Sequence, residues 1–596
     1  MVASWSIQQA VDVLLCGPTL REDTPVAVTI TDLFAVAAKT YANLDAIHID
    51  EITVTYAEFD ARANAVAEAL IERGVERGDA IGVCLDRSVE YAAAILGVLK
   101  AGAACLPLSP EDPPERTQAI LQNGAAAALI APDAVAERLD FAHPHFEVSN
   151  RVSTTAPQVV TAPGDAAFIF STSGSTGRPK QVILSHETCA VQIPWILDKF
   201  GAGPSDRHLL KMSVNFVALL HGLLWPLLTG GSTVVVPPGR QTDLGYLARL
   251  TARKQVTITT FIPSVMRLFL EQPEAARCAA VRHVLCGGEA LSPALQQRFF
   301  RILPGTALHN VFGSSEVPLV SHWRCEPGEE RPVPMGYPVK DVVDVRVLNA
   351  DHTATAPGEI GELHVSGPGV TLGYLGQSEF NANRFSAMGF RTGDLVRQDA
   401  DGLLAFAGRA DQLAKVRGFR IELGEVEATL SSHPDVRQAV AMVRESDGQR
   451  QLVAYVVGQA SRLKLREHLA SRLPEYMIPA RFINLPEMPL SANGKVDREA
   501  LPEPRDSPVE RIRPIVAPRD DMEAAILQIW QQVLDIDDIS IQDSFIKDLG
   551  GDSLRAIDVS SKLESLLATE LPFEVFMGAE TIEELASACR RYLAQR

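Results

Sequence analysis

Apolar positions recur at helical spacing over Phe59–Arg73, which ends at Gly74, and again over Val89–Ala101, which ends at Gly102. Between them Ala80–Leu85 is a short apolar run of strand length, and similar runs stand at Ala166–Ser171 and Thr233–Pro237. Apolar runs alternating with helical periods predict repeated β–α units and a large α/β domain with mostly parallel sheets. That pattern holds to residue 410. From Asp411 to Pro502 the texture becomes a small α+β unit, with helices predicted near Glu425–Ser432 and Leu463–Leu473 and strands near Gln438–Arg444 and Gln451–Val457. Pro502, Pro504 and Pro508, with Pro514 and Pro518 beyond, read as a semi-rigid linker. Met522–Leu534, Leu554–Leu567 and Ile582–Leu593 are amphipathic helical patterns and predict a small helical bundle. Upstream, Ile7–Leu15 is one short amphipathic stretch before a Gly17-Pro18 break. The expected divisions are an extension over 1–28, a core over 29–410, a smaller unit over 411–503, a linker over 504–518 and a last domain over 519–596.

Charge separates that last unit from the rest. Residues 519–596 carry 16 acidic and 7 basic side chains, a net of −9 out of −19 for the 596-residue chain. An acidic balance argues against a protein that neutralises nucleic-acid phosphates, and an asymmetric one marks a domain with its own partners. The eight cysteines include no CxxC pair and mostly sit in apolar runs, as reduced core thiols of a cytoplasmic protein would. Asp12 interrupts the first apolar stretch, no basic region precedes it, and no uncharged run is long enough to span a membrane, so neither a signal peptide nor a membrane segment is expected.

The strongest chemical signal is Phe170-Ser171-Thr172-Ser173-Gly174-Ser175-Thr176-Gly177-Arg178-Pro179-Lys180. An apolar strand runs into a loop of small residues whose amides and hydroxyls can approach phosphate oxygens, with Lys180 adding charge. It is not a Walker loop, because a proline precedes the lysine and no Ser or Thr follows it. The stretch resembles the phosphate loop of the adenylate-forming superfamily, and in particular of nonribosomal peptide synthetase adenylation domains. Further motifs follow in order: Leu99–Leu108, Asn310-Val311-Phe312-Gly313-Ser314-Ser315-Glu316, Gly361–Gly373, Arg391-Thr392-Gly393-Asp394-Leu395, Gly408–Asp411 through Lys415–Glu422, and Pro489–Asp497. The resemblance spans about residues 29–502.

It implies an α/β adenylate-forming N-terminal domain, a small mobile α+β subdomain and the use of ATP and Mg²⁺. By motif match, Thr172, Ser173, Gly174, Ser175, Thr176, Gly177 and Lys180 cradle phosphates, and Glu316 holds Mg²⁺ against them. Phe312 stacks near adenine beside Ser315, Asp394 accepts from the ribose hydroxyls, and Arg409 reaches the ribose or phosphates. Lys495 bridges the substrate carboxylate and the α-phosphate, with Lys415 grouped among the catalytic residues. Asp411 is the expected hinge about which the small subdomain turns between two half-reactions.

A second signal is Asp543-Ser544-Phe545-Ile546-Lys547-Asp548-Leu549-Gly550-Gly551-Asp552-Ser553-Leu554. By itself Ser553 reads as a helix N-cap. The segment also resembles the pantetheine attachment site of a peptidyl carrier domain, a four-helix bundle, in which Ser553 carries 4′-phosphopantetheine placed by a separate transferase. The implied sequence is acid plus ATP to acyl-adenylate, then transfer to the carrier thiol and onward to downstream synthase domains. The acidic surface then serves docking to basic patches. An acyl-CoA ligase would not need the carrier. An inactive adenylation scaffold would be favoured by losses at Glu316, Asp394 or Lys495, and all three are present.

The pocket departs from the family pattern. Relatives that activate amino acids place an aspartate after the phenylalanine to pair with the substrate ammonium, whereas here Val217 follows Phe216. The remaining pocket positions are Ala218, His221, Thr260, Leu285, Gly287, Val311, Leu319 and Val320, with no carboxylate. This favours a 2-oxo, 2-hydroxy, short aliphatic or aryl acid. His221 reads equally as a hydrogen-bonding group or a core histidine. A betaine-like cation would want an aromatic cage, for which only Phe216 and Trp225 are near in sequence. Losing the partner of a buried ammonium costs about 3–5 kcal/mol, or about two to four decades in affinity. Pyrophosphate exchange over an acid panel should therefore run slowest with ordinary L-α-amino acids; fastest rates with them would refute the reading.

Overall fold

The computed structural model describes residues 28–148, 151–174, 179–410, 413–416, 419–446, 449–489, 496–498, 500–503 and 515–594 except 535, 547, 550, 552, 568, 570, 572–574 and 577. The Ile7–Leu15 stretch and most of the proline-rich linker lie outside these residues.

The first predicted helix begins at Tyr56 rather than Phe59. Thr55 accepts from the Glu58 amide while the Glu58 carboxylate accepts from the Thr55 amide, a reciprocal cap that sets the start. Tyr56 then turns inward and its hydroxyl donates to Gly231 O at 2.6 Å. The second helix, Val89–Lys100, is buried along nearly its whole length, as a helix apolar all round must be. Both helices share one core with strands of two large sheets.

One sheet orders Gly373–Tyr374, Lys180–Ser185, Ala166–Thr172, Ala104–Leu108, Ala80–Cys84, Ala126–Ile130 and His145–Phe146. Its parallel centre matches the expectation, but Lys180–Ser185 runs antiparallel to Ala166–Thr172. A short connection between neighbouring strands allows no other direction. The other sheet has nine strands and includes Arg207–Leu210, Ile258–Phe261, His283–Gly287 and Ala307–Phe312 side by side and parallel. The phosphate loop, Lys211, Gly287 and Gly313 thus all stand at carboxyl ends of strands, where α/β sheets open their crevices.

A third sheet is built on Gly389–Gln398, which pairs with Leu404–Arg409. The hairpin Leu413–Val416/Phe419–Glu422 follows, leading into the helix Leu423–Ser431. The small unit continues with strands Val436–Ser446, Gln449–Gly458 and Arg481–Asn484 and the helix Arg462–Ala470. Helices Asp521–Leu534, Ser553–Leu567 and Ile582–Ala594 enclose a separate core around Trp530, Phe545, Leu563 and Cys589. This bundle packs against the large domain, where Gln272 donates to Ser561 Oγ at 3.0 Å. The seven described cysteines are all buried and unpaired, and Cys16 lies outside the described residues. Among the described residues no helix is long and apolar enough to cross a membrane.

Gly551 positions the start of the carrier's second described helix. Its amide donates to Phe545 O at 2.7 Å, and an added Cβ would lie 2.4 Å from the Phe545 ring. That ring is buried against Trp530, centroids 4.8 Å apart, and has nowhere to go. Gly551→Ala should destabilise this bundle by about 1–3 kcal/mol, lowering its calorimetric transition while leaving that of the large domain unchanged.

Candidate active site

Thr172 and Lys180 face each other across the hairpin that carries the phosphate loop. Ser173 Oγ donates to Arg420 O at 2.9 Å and accepts from the Glu422 amide at 3.1 Å. The Gly174 amide donates to Glu425 Oε2 at 2.8 Å. Lys180 is buried, 3.3 Å from Glu422 and 4.2 Å from the Phe380 ring centroid. Burial lowers its pKa against the opposing pull of Glu422. The other oxygen of Glu425 accepts from Arg116 at 2.8 Å, both side chains being buried. The small subdomain therefore grips the described part of the loop at several points.

Glu316 follows the strand Ala307–Phe312 through a turn that excludes a Cβ at Gly313, which would lie 2.2 Å from Pro318 O. The Glu316 carboxylate is fully buried. It accepts from the Tyr374 hydroxyl at 2.5 Å and from Arg420 Nη1 at 2.8 and 2.6 Å. Burial alone would raise its pKa; the Arg420 charge and the Tyr374 and Ser314 hydroxyls bring it down to about 2. Phe312 and Ser315, beside it, are half-buried. Asp394 pairs with Arg409 at 2.5 Å across the third sheet, and Arg409 also donates to Thr392 O at 3.1 Å.

Strand register sets Thr260 beside Leu285 and Gly287 beside Val311. Phe216, Val217, Ala218, His221, Thr260 and Gly287 keep partial exposure, while Leu285, Val311, Leu319 and Val320 are sealed. His221 stacks on Trp225 with centroids 4.1 Å apart, its Nδ1 has no hydrogen-bond partner among the described residues, and burial lowers its pKa to about 4. The edges of Phe216 meet Phe419 and Tyr476, at 5.2 and 6.0 Å, and those two rings stack at 4.2 Å. Among the described residues, Trp225 and Phe216 thus have different ring neighbours.

Ser175, Thr176, Gly177, Asp411 and Lys495 lie outside the described residues. Lys415 is described by its backbone, opposite Arg420 in the hairpin, and Ser553 as the first residue of its helix. Sequence reasoning missed Arg420 and Glu425 as partners of Glu316 and Gly174, although Arg420 lies within the hinge motif and Glu425 three residues after it. It also missed Tyr374, next to a quoted motif, and Asp112, which accepts from Asn215 at 3.2 Å and whose carboxyl burial raises to about 6 against the pull of Arg116. Lys211 interrupts the apolar run Leu209-Leu210-Lys211-Met212 at the end of its strand.

Against known proteins, residues 34–375 match the model described as AMP-binding enzyme. The chain belongs to that family. Residues 425–495 match the AMP-binding enzyme C-terminal domain and 524–589 the phosphopantetheine attachment site. The chain is an adenylation–carrier didomain and an AMP-forming ligase. Phosphinothricin tripeptide synthetase PhsB of Streptomyces viridochromogenes is 35% identical over 99% of this chain and 50% of its own length. Tyrocidine synthase 3 of Brevibacillus parabrevis is 34% identical over 94% of this chain and 9% of its own. The didomain thus spans half or less of these relatives. An artificially fused adenylation-PCP di-domain from Klebsiella oxytoca, NpsA-ThdA, superposes with TM-score 0.69 at 27% identity, covering 76% of this chain and 93% of that one. Holo-PA1221, an NRPS protein containing adenylation and PCP domains, shares the fold with TM-score 0.80 at 23% identity, covering 95% and 97%.

The Arg420–Glu316 pair anchors the small subdomain on the site. With Arg420→Met, hydrogen–deuterium exchange of the Gly174 and Glu422 amides should rise about tenfold or more, corresponding to at least about 1.4 kcal/mol of local closure.

Proposed function

We propose that residues 29–503 of the adenylation domain join ATP to a carboxylic acid without an α-ammonium group, and load the acyl group onto the chain's own carrier at Ser553. The acid's carboxylate oxygen attacks the α-phosphorus and pyrophosphate leaves. A thiolate then attacks the acyl carbon and AMP leaves with the bonding pair. The observation carrying this reading is the paired occupancy of the site by protein charges. Arg420 holds a cationic group on Glu316, and Glu425 holds an anionic oxygen on the Gly174 amide.

A buried carboxylate with a hydroxyl beside it suits Mg²⁺, and a loop amide that accepts a carboxylate partner suits a phosphate oxygen. ATP·Mg²⁺ thus suits the described residues Glu316, Thr172, Ser173, Gly174 and Lys180, and by sequence Ser175, Thr176 and Gly177 would continue the phosphate cradle. Phe312 and Ser315 border the nucleotide, and Asp394, fixed by Arg409, would take the ribose hydroxyls. Lys495 would bring its charge to the α-phosphate once the subdomain turns about Asp411, with Lys415 moving in the hairpin Leu413–Val416/Phe419–Glu422. Val217 stands at the position where relatives that activate amino acids carry the carboxylate for the ammonium. The phosphopantetheine arm, when attached, supplies the acceptor thiol, and the helix start at Ser553 suits its attachment. The partners that follow are a phosphopantetheinyl transferase and downstream synthase domains that accept the thioester.

Intact-mass measurement tests this. Wild-type chain treated with a phosphopantetheinyl transferase, ATP and the right acid should gain the arm and then the acyl mass. Ser553→Ala should gain neither, yet keep pyrophosphate exchange within about twofold. Loss of exchange in Ser553→Ala, or acyl loading without Ser553, would refute it.

A further inference from the structure

Asp112 stands in the short stretch between the strand Ala104–Leu108 and the helix Pro114–Asn123. Its Oδ2 accepts from Asn215 Nδ2 at 3.2 Å, and Asn215 Oδ1 accepts from Ser213 Oγ at 2.9 Å. The residue after Asn215 is Phe216, whose edges meet Phe419 and Tyr476 of the small subdomain. Asp112 also faces the charge of Arg116. Arg116 Nη1 donates to Glu425 Oε1, and the other oxygen of Glu425 holds the Gly174 amide. A line of hydrogen bonds and charges thus runs from the loop carrying Phe216 and Val217, through Asp112, Arg116 and Glu425, to the phosphate loop.

Among the described residues, the titratable groups around Asp112 and Arg116 are Glu111 beside them in sequence, Glu425 and Tyr476 from the small subdomain, and Cys84 from the strand Ala80–Cys84. Burial raises the Tyr476 hydroxyl and the Cys84 thiol and keeps both neutral. Burial also raises the Asp112 carboxyl, to about 6, against the pull of Arg116. Holding it ionised at neutral pH therefore costs stability, because the folded chain keeps this proton more tightly than the unfolded one. An asparagine would accept the same bond from Asn215 without that cost. What it would lack is the charge that faces Arg116.

We propose that Asp112 is a positioning residue for acyl transfer: its charge aligns Arg116 with Glu425, which couples closure of the small subdomain on the phosphate loop to the placement of Asn215 and Phe216. This rests on the loading reaction given under Proposed function. The described closure is assigned to the transfer step, since the first step needs the turn that brings Lys495 in. Loss of the Asp112 charge then slows transfer more than adenylation, and a coupling of this kind acts in both directions.

The test compares wild type with Asp112→Asn in the full chain, primed by a phosphopantetheinyl transferase and given ATP and an acid that supports pyrophosphate exchange. Exchange reads the first half-reaction, and the rate of acyl mass gain in a single turnover reads the second. In Asp112→Asn the ratio of transfer to exchange should fall about tenfold at about pH 7.5, and hydrogen exchange at the Gly174 amide should rise about tenfold. The wild-type advantage in that ratio should disappear as pH falls through about 6, because protonation removes the charge. Ionisations common to both chains cancel in the comparison. Asp112→Glu should recover part of the ratio. In a cycle with Glu425→Gln, the double variant should lose less than the product of the single losses. Equal ratios in wild type and Asp112→Asn, a wild-type advantage independent of pH, or single losses that simply multiply would overturn the proposal. Should Asp112→Asn not fold, protection of the wild-type Gly174 amide decides: it must fall as pH drops through about 6, and flat protection overturns the role. Should wild type gain no acyl mass, the loading reading fails by itself. The Gly174 amide of Asp112→Asn then judges Asp112, and exchange at the wild-type rate refutes it.

Discussion

The described part of the active site is organised around one buried charge pair. Glu316 comes from the large domain and Arg420 from the hairpin of the small subdomain, and neither could stay buried alone. Ser173 Oγ bonds Arg420 O and the Glu422 amide, while Lys180 pairs with Glu422 and Arg116 with Glu425. Each contact places a group of the small subdomain against the phosphate loop or its surroundings. The cost of leaving any one unpaired makes the closure cooperative.

Much of this was legible beforehand, because periodicity and capping are local. The helix at Val89, the strand at Ala80 and the three carrier helices lie within a few residues of their predicted ends. The displaced start at Tyr56 traces to a cap at Thr55 that the apolar pattern does not register. The antiparallel strand beside the phosphate loop was hidden because its direction is set by a short connection rather than by composition.

The site divides in the same way. Glu316, Asp394, Arg409 and the loop residues stand in contiguous motifs. Their partners do not announce themselves, since Arg420 is 104 residues from Glu316 and Glu425 is 251 from Gly174. A pairing across that distance leaves no periodic trace. Lys211 left a trace of another kind, a charge where the pattern calls for an apolar side chain.

The cysteines take on a different meaning in a protein that hands an activated acyl group to sulfur. Burial raises the Cys84, Cys278 and Cys325 thiols to about 12 and Cys589 to about 11, and lifts Cys105, Cys189 and Cys286 further still. Only a thiolate attacks effectively, and at neutral pH these seven hold almost none. The core therefore works as chemical insulation: an acyl-adenylate made beside it meets no rival sulfur among them.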